Sequence, residues 1–191
     1  GYTLDAEAGF DADGFLAGMR VRIIADLGAY CLHSSLVPPV NAALRIPGPY
    51  LIPNMDVSCL AVITNKPPTG PYRGAGGPES AFVTERLMDL AARELGKDPV
   101  DIRRRNLIPA SEFPYTTATG LSYDSGDFAA GMDRALELSD YSGWRAKQRA
   151  GDFGEALIGL GVATVVKASG GLGSALVGHA RLDIDATGKV V

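Results

Sequence analysis

One arginine, Arg73, stands in a run of small residues, Thr69-Gly70-Pro71-Tyr72-Arg73-Gly74-Ala75-Gly76-Gly77-Pro78-Glu79-Ser80, just ahead of a helical pattern. The glycines at 74, 76 and 77 remove side chains where backbone could approach a ligand closely. A helix that follows such a loop turns unpaired N–H groups and a partial positive charge back toward it. The guanidinium adds a planar cationic fork suited to phosphate or carboxylate. A charge-assisted hydrogen bond contributes about 1.5–3 kcal/mol and a helix terminus about 0.3–1 kcal/mol. These parts describe an anion site. They also describe a tight turn whose arginine pairs with a nearby carboxylate, and the residues alone leave both readings open. The loop is not the phosphate loop of NTPases, because no Gly-Lys-Ser/Thr follows. Nor is it a dinucleotide fingerprint, because no further glycine comes at the required spacing.

The other reactive side chains carry less. Cys31 and Cys59 are too few for a disulfide scaffold and read as reduced, mostly buried thiols. His33 and His179 lie far apart, and no CxxC or HxxxH occurs, so no metal site is expected. Glu79, Glu85, Glu94, Glu112, Glu137 and Glu155 fit helix-surface or capping roles.

The elements that must position the loop follow from periodicity and punctuation. Arg20-Val21-Arg22-Ile23 alternates as a half-buried strand does, which predicts a strand over about 15–25. Asp13-Gly14 before it is a turn, with Phe10-Asp11 as the end of a hairpin partner. Prolines at 38, 39, 47, 49 and 53 leave room for only a short helix between Val40 and Arg45. Residues 55–65, rich in β-branched side chains, predict a second strand. From Pro78 to Leu95, Val83, Leu87, Leu90, Ala91 and Leu95 fall on one helical face, and Gly96 stops the helix. Asp98-Pro99 starts another helix, which ends in Arg103-Arg104-Arg105, a run suited to a helix C-terminus. After a loop, a helix is predicted over about 128–138 and a shorter one through Trp144. A strand is predicted over 157–168, then a turn at 169–174, renewed alternation, and a hairpin turn at Asp185-Ala186-Thr187-Gly188-Lys189-Val190. No internal repeat is found.

The chain has 191 residues, with 46% hydrophobic and 21% charged residues, the balance of a globular protein able to bury a core. Its net charge of -4 argues against nucleic acid and against an anionic membrane surface. No apolar run has the length of a membrane span. The sequence begins without Met, carries no signal-like stretch and stops in mid-hairpin, the expectation for a cytoplasmic piece of something longer.

Residues 70–109, Gly-Pro-Tyr-Arg-Gly-Ala-Gly-Gly-Pro-Glu through Arg-Arg-Arg-Asn-Leu-Ile-Pro, resemble the large subunit of the molybdenum hydroxylases. These are the relatives of xanthine dehydrogenase, aldehyde oxidase and aerobic carbon monoxide dehydrogenase. The carrying pattern is a Tyr/Phe-Arg-Gly-x-Gly loop, a helix with Glu-Arg and a Leu-Gly-x-Asp-Pro step, then Arg-x-Asn-Leu. The resemblance extends through Ala25-Asp26-Leu27-Gly28-Ala29-Tyr30-Cys31 and Pro49–Asn54 upstream, and through Tyr123–Phe128 and 159–171 downstream. It implies an α+β fold of mixed strands and helices, made of parts of two molybdopterin-binding domains. Residues 1–108 would end the first, 109–123 would connect, and 124–191 would begin the second.

The resemblance also implies roles. Tyr72, Arg73, Gly74, Ala75, Gly76 and Gly77 would lie against a molybdenum-bearing molybdopterin, in its cytosine dinucleotide form. Iron–sulfur clusters and FAD would reside on partner domains or subunits. Copper-containing carbon monoxide dehydrogenases hold a cysteine where this chain has Gly74, and soft copper needs that thiolate. Purine oxidases place a Phe where Ala75 stands and a substrate-binding arginine where Asn41 stands. Ala75 and Asn41 would therefore face the substrate, and an aldehyde or an N-heterocycle is favoured over a purine, with water as the oxygen source. Bacterial relatives usually carry Arg where this chain has Gly77. The family's general base is a glutamate far later in the subunit, so no catalytic residue is assigned here and the piece alone is expected to be inactive and to self-associate. The competing reading is a non-catalytic anion-binding or structural module with the same loop; an unrelated phosphate-binding protein is a third.

Overall fold

The computed structural model describes residues 1–154, 156–167 and 181–189. Its fold is α+β, as the sequence and the resemblance lead one to expect. Strand β1 (Tyr2–Phe10) pairs antiparallel with β2 (Leu16–Gly28), and β2 pairs parallel with β3 (Met55–Ile63). The sheet order is β1-β2-β3. The hairpin partner hinted at by Phe10-Asp11 is thus a full strand. A parallel pair needs a long crossover, and residues 29–54 supply it, with helix α1 (Val37–Arg45) inside.

α1 starts earlier than the prolines suggest. Pro38 and Pro39 lie in its first turn, where the missing N–H groups would have had no helical partner. Helix α2 (Gly77–Glu94) follows the glycine loop, and α3 (Pro99–Asn106) begins on Asp98, whose side chain accepts from the Val100 amide at 3.0 Å. Gly96, at φ 62°, stops α2 as predicted.

The core lies between one face of the sheet and the helices. Along β2, Met19, Val21, Ile23 and Ala25 are buried, and the first three pack in one cluster with Ala42 and Ile46 of the α1 segment and with Val83, Met88 and Ala92 of α2. The opposite face carries exposed ion pairs of Arg20 with Glu7 and Asp56, which add little stability.

A 3-10 turn (Ala110–Glu112) leads to a small hairpin, β4 (Tyr115–Thr116) with β5 (Ser122–Tyr123). Tyr123 donates to the Gly48 carbonyl at 2.9 Å and Thr119 to Leu44 at 2.6 Å, tying the hairpin to the end of α1. Helix α4 (Phe128–Leu138) is as predicted, while α5 (Tyr141–Ala150) runs well past Trp144 to a left-handed Gly151. Asp98 anchors α5, accepting from Tyr141 at 2.9 Å and from Arg145 at 3.1 Å.

The strand predicted over 157–168 is not formed within 156–167, and Ala168 lies outside the described residues. The alternation itself is real, since residues 158, 160, 162, 164 and 166 are half-buried between exposed neighbours. Alternation sets a face, but a ladder needs a partner, and side chains take up backbone groups here: Thr164 N–H donates to Glu85 and the Ile158 carbonyl accepts from Gln148. The predicted turn at 169–174 and Glu155 lie outside the described residues. The turn at Asp185 is present, with Asp185 N–H donating to the Lys189 carbonyl at 3.0 Å. Among the described residues no helix is long and apolar enough to cross a membrane.

Candidate functional site

The ends of β2 and β3 feed the loop through Asp26. Its carboxylate accepts from Lys66 at 2.7 Å, Thr64 at 2.6 Å and the Gly28 amide at 3.0 Å. These donors, Lys66 first, hold the Asp26 carboxyl far below the usual carboxylate range. Gly28, at φ 80°, lets residues 67–68 cross within contact of the strand end. Ser35 then donates to the Thr69 carbonyl at 2.6 Å, fixing the entry to the loop.

The loop itself has a left-handed run: Gly74 at φ 109°, Ala75 at φ 42° and Gly76 at φ 92°. Such backbone costs an L-residue about 1–2 kcal/mol, so Ala75 is the strained member. Two turns close it, Ala75 N–H to the Tyr72 carbonyl at 2.7 Å and Gly77 N–H to the Gly74 carbonyl at 3.0 Å. Gly76 is pressed against α1: a Cβ there would meet the Pro38 carbonyl oxygen at 2.1 Å and the Ala42 nitrogen at 2.6 Å. The same approach brings Asn41, buried on α1, against Gly76, one residue from Ala75.

Arg73 is exposed, and among the described residues it has no hydrogen bond and no ion pair. The turn with a carboxylate-paired arginine is therefore not what the structure shows. Tyr72 is 89% exposed. The start of α2 keeps fewer free donors than a generic helix. The Gly77 amide is used within the loop and Pro78 has none, leaving the Gly76 and Glu79 amides without a partner among the described residues. Glu79 sits in the first turn. Tyr72 and Arg73 are exposed and Gly74, Ala75 and Gly77 half-buried, while Gly76 is buried against α1 with Asn41 beside it. Among the described residues no group of His, Cys, Asp and Glu could hold a metal ion.

Sequence reasoning missed several polar groups around this surface. Glu79, read from the sequence as a helix-surface or capping residue, has its Oε2 buried without a hydrogen-bond partner among the described residues, as does Arg45 Nε, which carried no signal in the sequence. Lys167 Nζ donates to the Gly74 carbonyl at 3.0 Å, although it is remote in sequence.

Glu85 is not a surface or capping residue. It is buried, and its carboxylate accepts from Arg103 Nε at 2.8 Å, the Tyr50 hydroxyl at 2.7 Å and both the amide and the hydroxyl of Thr164, at 2.9 and 3.1 Å. Arg103 is likewise not a dipole-facing surface cation. It is fully buried, reaching Asp89 and the Glu85 and Pro99 carbonyls as well. The core face of α2 leaves room for a charge only because that charge is fully paired. Burial pushes the Tyr50 hydroxyl far above its ordinary pKa, and the Glu85 charge pushes it further.

Both thiols contradict the expectation of burial. Cys31 lies in the exposed stretch 29–33 at the start of the crossover, and Cys59 on β3, an edge strand whose later half is open. A cavity of about 470 Å³ opens elsewhere, between α4 and residues 161–166, lined by Phe128, Met132, Leu136 and Tyr141. Among the described residues no cationic side chain lines it, so it offers no comparable anion site.

Residues 1–107 match the model of the molybdopterin cofactor-binding domain, and the chain belongs to that family. It is 36% identical over 176 residues to the carbon monoxide dehydrogenase large chain of Hydrogenophaga pseudoflava, covering 88% of this chain and 22% of the relative. It is 37% identical over 164 residues to the 6-hydroxypseudooxynicotine dehydrogenase complex subunit gamma of Paenarthrobacter nicotinovorans, covering 82% and 20%. The crystal structure of quinoline 2-oxidoreductase from Pseudomonas putida 86 superposes with a TM-score of 0.73 at 32% identity, over 79% of this chain and 20% of that one. The chain thus spans about a fifth of the length of these relatives.

Proposed function

We propose that this chain supplies one wall of the molybdopterin site in the large subunit of a molybdenum hydroxylase. The observation that carries the reading is Arg73, an exposed guanidinium without a protein partner among the described residues, on a glycine loop ahead of α2 in a chain of this family. The surface fits a group with phosphates and a polar ring. It offers a cationic fork, the Glu79 amide at the helix start and, at Gly74 and Gly77, half-buried glycine backbone that a ligand can approach closely. Tyr72, Arg73, Gly74, Ala75, Gly76 and Gly77 would hold the cofactor, in its cytosine dinucleotide form. The bound cofactor would supply the redox chemistry, while these residues bind and orient it.

In this reading the whole subunit oxidises an aldehyde or an N-heterocycle with water as the oxygen source. Ala75 and Asn41 leave the substrate side small and uncharged, which disfavours a purine. Two relatives are named for nitrogen heterocycles or their derivatives, which supports the N-heterocycle. Gly74 offers no thiolate, which argues against copper-dependent carbon monoxide oxidation despite the likeness to that large chain. Residues 1–108 would complete one cofactor-binding domain and 124–191 begin another, joined by 109–123. Iron–sulfur and FAD subunits would be the partners, in the cytoplasm, and the chain alone would be inactive.

The test is Arg73→Ala in the full-length subunit. Molybdenum and pterin content should fall together while the fold is retained. Unchanged content would favour the other reading, a structural module that keeps the loop without the cofactor.

A further inference from the structure

The residues 156–167 cross from α5, where the Ile158 carbonyl accepts from Gln148, back over α2, where Thr164 and Lys167 hold them. Thr164 is bound to the buried Glu85 carboxylate through its amide at 2.9 Å and its hydroxyl at 3.1 Å, and its hydroxyl lies 2.6 Å from the Tyr50 hydroxyl. Glu85 is itself held by the fully buried Arg103 at 2.8 Å. The anchor therefore sits on the rigid core. Three residues on, the Lys167 ammonium donates to the Gly74 carbonyl at 3.0 Å. That carbonyl also accepts from the Gly77 amide at 3.0 Å and opens the left-handed run Gly74-Ala75-Gly76.

We infer that Thr164 and Lys167 form a clasp, anchored on Glu85, that holds the Arg73 loop in its binding conformation, with Lys167 as a positioning residue of the cofactor wall. A backbone with Ala75 in the left-handed region persists only when its surroundings over-determine it. Within the loop, two turn hydrogen bonds do this. The ammonium adds an external, charge-assisted one to the carbonyl at which the run begins. It also leaves a second cationic charge beside the Arg73 peptide, of the sign an anionic ligand requires. What the loop holds rests on the function proposed above; that Lys167 orders it does not.

The test has two arms. In the 191-residue chain, amide hydrogen exchange is measured for residues 72–80 in wild type, Lys167→Met and Lys167→Arg. Lys167 is an exposed side chain, so Lys167→Met should keep the fold, with circular dichroism as the check. The Ala75 and Gly77 amides should exchange faster in Lys167→Met by about tenfold or more, the factor a charge-assisted hydrogen bond carries, and Lys167→Arg should restore protection. Unchanged exchange overturns the inference. In the full-length subunit, pterin content is compared between Lys167→Met and Arg73→Ala. A fall in both supports the inference. A fall in Arg73→Ala alone overturns the clasp's role and leaves the cofactor reading standing. No fall in either removes the cofactor reading and with it Lys167's place in a cofactor wall, while the exchange arm alone decides whether Lys167 orders the loop.

Discussion

Two adjacent glycines make a sharp pair of perturbations. Gly76 has φ 92° and faces backbone: a Cβ would lie 2.1 Å from the Pro38 oxygen and 2.6 Å from the Ala42 nitrogen. Neither atom can swing aside, because both belong to α1. The left-handed backbone costs an alanine about 1–2 kcal/mol, and forcing loop and helix apart costs about 1–3 kcal/mol. Gly76→Ala should therefore destabilise by about 3 kcal/mol, which for a domain of this size lowers Tm by about 6–12 °C. Gly77 has nothing within 4 Å of its would-be Cβ and begins α2. Gly77→Ala should be neutral or stabilising, within about 1 kcal/mol. Parallel thermal melts followed by circular dichroism measure both. Equal shifts, or a Gly76→Ala protein as stable as wild type, would refute the packing of the loop on α1.

Three further outcomes are expected. Glu85→Gln leaves the buried Arg103 guanidinium without its ionic partner at Nε and should cost about 3 kcal/mol or more, whereas Tyr50→Phe should cost about 1 kcal/mol; urea unfolding measures both. Burial of Asp98 raises its carboxyl, but the Val100 amide, the Tyr141 hydroxyl and Arg145 outweigh that and leave it below the ordinary carboxylate range. A lowered folded-state pKa stabilises above the unfolded value of about 3.9 and is lost as pH falls through the folded one, so wild type should lose its advantage over Asp98→Asn below about pH 4 in acid titrations. Both thiols should react with a maleimide in the native chain, Cys31 faster than Cys59, whose thiol burial pushes up; failure of either to react without denaturant would contradict the exposed placement.

What the sequence announces is what local chemistry decides. Asp98-Pro99 starts a helix because the cap and the first turn are satisfied within a few residues, and Gly96 stops one for the same reason. The alternation in Arg20-Val21-Arg22-Ile23 reads true because β2 has one buried face. The same rule misleads at 157–168, where the alternation marks a face but strand pairing depends on a neighbour the segment cannot specify. Arg103-Arg104-Arg105 shows the limit most plainly. Composition treats three arginines alike, yet the helical turn aims Arg103 into the core and Arg104 outward to Asp133. Within the candidate site, Arg73 and the glycines were legible from spacing. That Asn41 lies against Gly76 and that Lys167 meets Gly74 follow from tertiary approach, which no local pattern records.

The central claim is that the surface from Tyr72 to Gly77 faces the molybdopterin. Hydrogen exchange on the full-length subunit, compared between its cofactor-loaded and cofactor-free forms, addresses it most directly. The account predicts slower exchange in peptides spanning 72–80 when the cofactor is bound, with the β4–β5 hairpin unaffected. Identical exchange across 72–80 in the two forms would contradict it.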